Sequence, residues 1–207
     1  MSTLTLVRHA QATPFDTITD RLSPLGAKQS RRLGEYWRER GIAYDEIYTG
    51  TLARHLRTAE LAGIGAFTQD PAFNEYPADA ILRASPDYAA TSDNRAFQKM
   101  FEAIMPRWID GSLTAPGLES WIDFRARVTA GFRRILEGEG NRRVLIITSG
   151  GPIGIAVQSA LHAPDQTAIE LNWRIRNCSI TEFVVTRGRV SLETFNATPH
   201  LEAVTYR

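Results

Sequence analysis

At 207 residues, 43% of them hydrophobic, the chain can bury one sizeable core, and a single domain is expected over 1–207. A formal net charge of +1 excludes the long-range field that would gather nucleic acid or an anionic membrane surface, so any anion selectivity must come from local arginines. The one cysteine, Cys178, excludes an internal disulfide and is expected to be a buried strand residue.

The N-terminal residues have neither a cationic start nor an apolar stretch long enough for export, and no run approaches a membrane span. A cytoplasmic protein is the expectation. Thr3 to Val7 alternates β-branched and aliphatic residues and predicts a short buried strand that delivers Arg8 and His9 at its end. Ser23-Pro24 reads as an N-cap followed by proline at the first helical position, with Gly41 as the stop, which gives a helix of about five turns. Asp45 to Thr49 predicts a second strand, Thr51 to Ala62 a helix with Leu52, His55, Leu56, Ala59 and Leu61, and Phe67-Thr68 the start of a third strand.

From Asp70 to Pro116 five prolines, Pro106 among them, divide the chain into loops and one helix near Asn94 to Asp110; this stretch reads as a cap over the site. Glu119 to Glu137 has the spacing of an amphipathic helix. Arg143 to Thr148 contains a continuous apolar run suited to a strand covered on both faces, and Ser149-Gly150-Gly151-Pro152 turns into a helix reaching about Leu161. Ser179 to Thr186 and Arg189 to Phe195 flank Arg187-Gly188 and predict a terminal hairpin. Strands alternating with helices imply an α/β three-layer sandwich, with a mainly parallel central sheet between helices and a cap insertion.

In such a sheet ligands gather beyond the carboxyl ends of the strands, so Arg8-His9 and Ser149-Gly150 would share a crevice if their strands are neighbours. A histidine can attack phosphorus to give a covalent intermediate that water hydrolyses, and the planar forks of Arg8 and Arg54 suit phosphate oxygens. The glycine-rich run from Gly150 lacks the spacing of a dinucleotide fingerprint and the lysine of a P-loop, so no cofactor is expected. Four histidines, one cysteine and no clustered carboxylates give no metal-ligand spacing. Trp108 and Trp121 are expected in core packing, with a cap pocket as the other reading.

Four blocks together resemble the histidine-phosphatase, or phosphoglycerate-mutase-like, superfamily: Leu6-Val7-Arg8-His9-Ala10-Gln11-Ala12; Asp20-Arg21-Leu22-Ser23-Pro24-Leu25-Gly26-Ala27-Lys28-Gln29; Thr49-Gly50-Thr51-Leu52-Ala53-Arg54-His55-Leu56-Arg57-Thr58-Ala59; and Gly117-Leu118-Glu119-Ser120 continuing to Asp123 and Arg127. Their order and spacing match across nearly the whole chain. The resemblance implies His9 as phosphoryl acceptor, Arg8 and Arg54 as phosphate ligands, and Glu75 as general acid, with Asp70 and Asp79 as rivals for that last role. It is similar in all but one catalytic position: where the family ends a strand with Ser-His-Gly-Gly, this chain reads Thr148-Ser149-Gly150-Gly151.

Ser149 can offer only a neutral hydrogen bond there, while the first-turn amides of Gly150 and Gly151 still favour an anion. Arg57, one helical turn beyond Arg54, either replaces the lost positive charge at the phosphate or pairs with Glu60 at the surface. His55, beside Arg54, is expected to be directed elsewhere, into packing or to solvent, and His162 and His200 are taken as incidental. The segment Ala12 to Asp16 lacks a mutase-type asparagine, which favours a phosphatase over a mutase. The expected activity is hydrolysis of a small phosphorylated substrate; a silent phosphate-ester binding protein is the alternative and a mutase the third choice. Oligomeric state is not readable.

Overall fold

The computed structural model describes residues 1–13, 20–91, 93–138, 140–186 and 189–206. The segment expected to discriminate mutase from phosphatase, after Thr13, and the Arg187-Gly188 turn lie outside the described residues.

The predicted first helix begins as its sequence dictates. Ser23 accepts a hydrogen bond from the Gly26 amide at 2.9 Å, Pro24 occupies the first turn, and α1 runs over Pro24–Glu39 until Gly41 adopts a left-handed backbone. Strand β1 (Ser2–Arg8) precedes it; β2 (Glu46–Thr49), α2 (Ala53–Ala62) and the two-residue β3 (Thr68–Gln69) follow. A 3-10 turn at Pro71–Phe73 leads to α3 (Ala78–Ala84), α4 (Asn94–Ile109) and α5 (Trp121–Leu136). The chain then forms β4 (Arg143–Thr148), α6 (Gly150–Ala160), α7 (Asp165–Asn172), β5 (Ile180–Thr186) and β6 (Arg189–Ala197).

The sheet order is β3-β2-β4-β1-β5-β6, parallel from β3 through β1 and antiparallel at β5 and β6. On β4, Val144 and Ile146 join Leu4, Leu6 and Phe183 on one face, against Phe124 and Val128 of α5 and Ile153 of α6. Leu145 and Ile147 take the other face with Val7, against Leu33 and Trp37 of α1 and Ala59 and Ala62 of α2. This is why the β4 run is apolar throughout: both of its faces are covered. Each such fully buried side chain contributes roughly 1.5–3 kcal/mol. The result is the expected three-layer α/β sandwich. On the second face α1 and α2 approach so closely that a Cβ at Gly34 would collide with the Ala62 carbonyl.

Three expectations need correction, while the expected core packing of Trp108 and Trp121 holds. Pro106 does not interrupt the chain but lies within the last turn of α4, which forgoes one amide bond there and continues to Ile109. The short helices α3 and α7 were not anticipated, because seven or eight residues carry too little periodicity to read. Cys178 is buried but sits in a left-handed turn ahead of β5 rather than in a strand, and burial pushes its thiol pKa up. Trp108 and Trp121 pack edge to face in the core at 5.4 Å. Among the described residues no helix is long and apolar enough to cross a membrane.

Candidate active site

Register brings the strand ends together. Arg8 lies opposite Thr148, and Thr49 opposite Ile147, so the residues that follow β1, β4 and β2 (His9, Ser149 and Gly50) emerge along one edge of the sheet. The His9 amide continues the ladder, donating to the Thr148 carbonyl at 2.8 Å. The expected adjacency of Arg8-His9 and Ser149-Gly150 is therefore present.

His9 is 6% exposed, and its Nδ1 lies 2.8 Å from the Ala10 carbonyl. A carbonyl only accepts, so Nδ1 carries the proton and Nε2 presents a lone pair. Burial above all, then Arg54, Arg8 and His55, hold the imidazole pKa well below 6.5, so the ring is neutral.

Arg54 reaches the site from the first turn of α2. Its guanidinium pairs with Asp20 at 2.9 Å, and the same carboxylate accepts from the Ala53 and Arg54 amides at 2.7 and 3.3 Å, capping α2 and orienting the arginine together. Thr58, one turn on, accepts from the Ala10 amide at 3.1 Å and donates to the Arg54 carbonyl at 2.7 Å, fastening the His9 loop to this helix. Arg8 donates to the carbonyls of Ile175 and Tyr206 and lies near enough to both His9 and Glu75 to bias their titration.

Glu75 enters from the stretch after the 3-10 turn. Its carboxylate accepts from the Gly151 amide at the start of α6, at 3.1 and 3.2 Å. Burial raises its pKa above 4.5, opposed by Arg54, the Gly151 hydrogen bond and Arg8. The turn that carries it is held by Arg127, which donates to the carbonyls of Pro71, Ala72 and Asn74 and is itself gripped by a two-point pair with Glu119 at 2.8 Å. Asn74 in turn ties this turn to Thr51 ahead of α2. The rival carboxylates sit elsewhere: Asp70 caps the 3-10 turn and pairs with Arg134, and Asp79 is exposed on α3.

Three expectations change here. Arg57 does not join the site: it lies on the solvent side of α2, its side chain 57% exposed, and pairs with Glu60 at 2.9 Å, the surface reading of the two. The Gly151 amide, expected to await an anion, is taken by Glu75. His55, expected to point away, is fully buried with Nε2 2.7 Å from Ser149 Oγ and its ring 5.7 Å from that of His9. The signal was present in the stripe His55, Thr58, Ala59, Ala62, the buried face of α2, where an imidazole among small residues is out of character. Asp20, Thr58 and Arg127 were quoted in the sequence blocks without a role, since their contacts are long-range. Among the described residues no group of three His, Cys, Asp or Glu side chains could hold a metal ion.

Comparisons with known proteins bear on the fold and the family. Residues 4–198 match the model of the histidine phosphatase superfamily (branch 1). The chain is 34% identical over 96 residues, 46% of its length, to the bifunctional protein Rv2228c of Mycobacterium tuberculosis, and the match spans 26% of that relative. Phosphoserine phosphatase of Entamoeba histolytica, solved with 3-phosphoglyceric acid, superposes with a TM-score of 0.72 at 19% identity, covering 97% of this chain and 99% of the other. Mycobacterial glucosyl-3-phosphoglycerate phosphatase Rv2419c, solved with VO3, gives a TM-score of 0.72 at 21% identity, covering 96% and 100%. The match over nearly the whole sequence places the chain in a family: it belongs to branch 1 of the histidine phosphatase superfamily.

Proposed function

We propose that this chain hydrolyses a small phosphomonoester through a phosphohistidine on His9. The observation that carries this reading is a neutral, buried imidazole whose Nδ1 proton is bound to the Ala10 carbonyl, leaving Nε2 as the nucleophile between two arginines and a carboxyl of raised pKa. Nε2 forms a bond to phosphorus as the ester P–O bond breaks, and the leaving oxygen takes the Glu75 proton. Water then attacks phosphorus, gives its proton to Glu75, and the electron pair of the P–N bond returns to Nε2. Arg8 and Arg54 neutralise the phosphoryl oxygens, the largest requirement of phosphoryl transfer. Neither a metal nor a cofactor takes part in this sequence of steps. The segment from Asp70 to Pro116, which carries Glu75, selects the substrate as a cap, and the protein acts in the cytoplasm.

Ser149, standing where the family carries a histidine, favours a second reading, a phosphate-ester binding protein without turnover. One experiment separates the two. Phosphate release from an aryl phosphate is followed across pH 5 to 8 beside His9→Ala, and the protein is quenched in alkali to trap acid-labile phosphate on His9. Turnover lost by about 10³-fold or more in His9→Ala, with a trapped phosphoenzyme in the parent, is the expected result. Phosphate binding with neither release nor trapped phosphate overturns the phosphatase in favour of the silent binder.

A further inference from the structure

We propose that His55 and Ser149 work as one unit: His55, reaching over from α2, aims the Ser149 hydroxyl at the phosphoryl group, and the pair takes the place of the histidine missing from the end of β4. This deepens the phosphatase reading above and rests on it for the reaction it serves.

The geometry is specific. Ser149 begins α6 as its N-cap, yet its hydroxyl makes no capping bond to the helix; it faces His55 Nε2 at 2.7 Å, with both residues fully buried. The His55 ring lies 5.7 Å from the ring of the nucleophile. Room for it exists only because Gly50 has no side chain, since a Cβ at that position would collide with His55 Nδ1.

The arrangement has a cost that packing alone does not explain. His55 Nδ1 is buried without a hydrogen-bond partner, and an apolar side chain of similar size would avoid that penalty. What the imidazole adds is its bond to Ser149. An orphaned lone pair is better tolerated than an orphaned N–H, so the proton belongs on Nε2, which donates to Ser149 Oγ. The single hydroxyl proton of Ser149 is then left to donate elsewhere, and accepting from His55 makes it a stronger donor. In the opposite arrangement the serine proton would be spent on the imidazole and nothing would remain for the phosphoryl oxygen. Burial and the adjacent Arg54 keep His55 neutral, so the pair supplies a fixed, polarised hydrogen bond while Arg8 and Arg54 carry the positive charge. His55 is thus a positioning residue, and Ser149 is the group that touches substrate.

The test compares Ser149→Ala, His55→Phe, His55→Gln, the double variant Ser149→Ala/His55→Phe, and the exchange His55→Ala/Ser149→His against its partner His55→Ala. Each is assayed for kcat and KM on an aryl phosphate, for vanadate affinity and for thermal unfolding. A unit of this kind gives a loss in kcat of about 10²-fold in Ser149→Ala and a similar loss in His55→Phe, with KM changed less than about threefold. The double variant should be no worse than either single change. His55→Gln, which keeps a donor, should retain more activity than His55→Phe, and the exchange should recover about tenfold over His55→Ala. Full activity in a folded His55→Phe, or losses that multiply in the double variant, overturns the pair. Vanadate affinity keeps the two readings apart: a parent with no turnover rejects the phosphatase, whereas equal weakening of vanadate by Ser149→Ala and His55→Phe still upholds the unit and unchanged vanadate affinity in both rejects it.

Discussion

The strand ends and the first turns of α2 supply the same site by different routes. At β1 and β4 the placement follows from backbone register: once Arg8 sits opposite Thr148, the next residues, His9 and Ser149, have nowhere to go but the same edge. On α2 the placement depends on helix rotation. Within four residues it sends Arg54 to Asp20, His55 to Ser149 and Arg57 to solvent. A strand with both faces covered leaves little choice at its tip, while a helix distributes successive side chains about 100° apart and needs outside contacts to choose its phase. Those contacts are the Asp20 cap at one end and the close packing of Gly34 on Ala62 at the other.

The largest effect that would sharpen this comparison is expected from the cap. Asp20→Ala removes the acceptor of two α2 amides and the partner of Arg54. Loss of the cap should lower stability by about 1 kcal/mol, and a loosened Arg54 should lower kcat/KM by about 10- to 100-fold. Chemical denaturation and aryl phosphate kinetics read these separately; unchanged kinetics would show that the phase of α2 is set by packing alone.

Next comes the pH profile, which probes the strand-end histidine against the Glu75 carboxyl. In the proposed mechanism His9 acts neutral, so its lowered pKa puts the acid limb below 6.5, and Glu75 acts protonated, so its raised pKa puts the alkaline limb above 4.5. Glu75→Gln should remove the alkaline limb and slow esters with poor alkyl leaving groups by about tenfold more than aryl esters. An unchanged alkaline limb in that variant would move the acid role away from Glu75.

Stability should also depend on pH. His9, His55 and His200 all have depressed pKa values because they are buried, His200 at about 4. The unfolded chain takes up protons near 6.5 that the folded chain refuses, so stability is full above that value and falls as pH drops. His200, packed on Tyr36 at 5.7 Å, should alone contribute a loss on the order of 3 kcal/mol between pH 6.5 and 4. His200→Phe should flatten part of that decline in a Tm series; an unaltered slope would assign the proton uptake to the histidines of the site. The smallest effect belongs to Arg57→Ala, which removes an exposed pair with Glu60. It should change stability by less than about 0.5 kcal/mol and leave inorganic phosphate affinity the same within about twofold, as titration calorimetry can check.

Much of this was legible in the chain itself. The apolar run of β4, the Ser23-Pro24 start of α1 and the Arg8-His9 terminus of β1 are local signals, in which capping chemistry and burial on two faces act within a few residues. The α/β layering followed from their alternation. Hydrogen bonds and helix phase that join distant segments were not legible. Nothing near Asp20 announces that it caps α2, nothing near Arg127 that it holds the turn before Glu75, and nothing near His55 that it meets a serine 94 positions away. The amino-acid sequence by itself determined the strands, the layers and the Arg8-His9 end of β1, because those depend on periodicity and on residues adjacent in the chain. Only the tertiary structure decided which of Arg54, His55 and Arg57 enters the site, because a helix turns each residue to a different side and the packing of its neighbours selects the side that faces in.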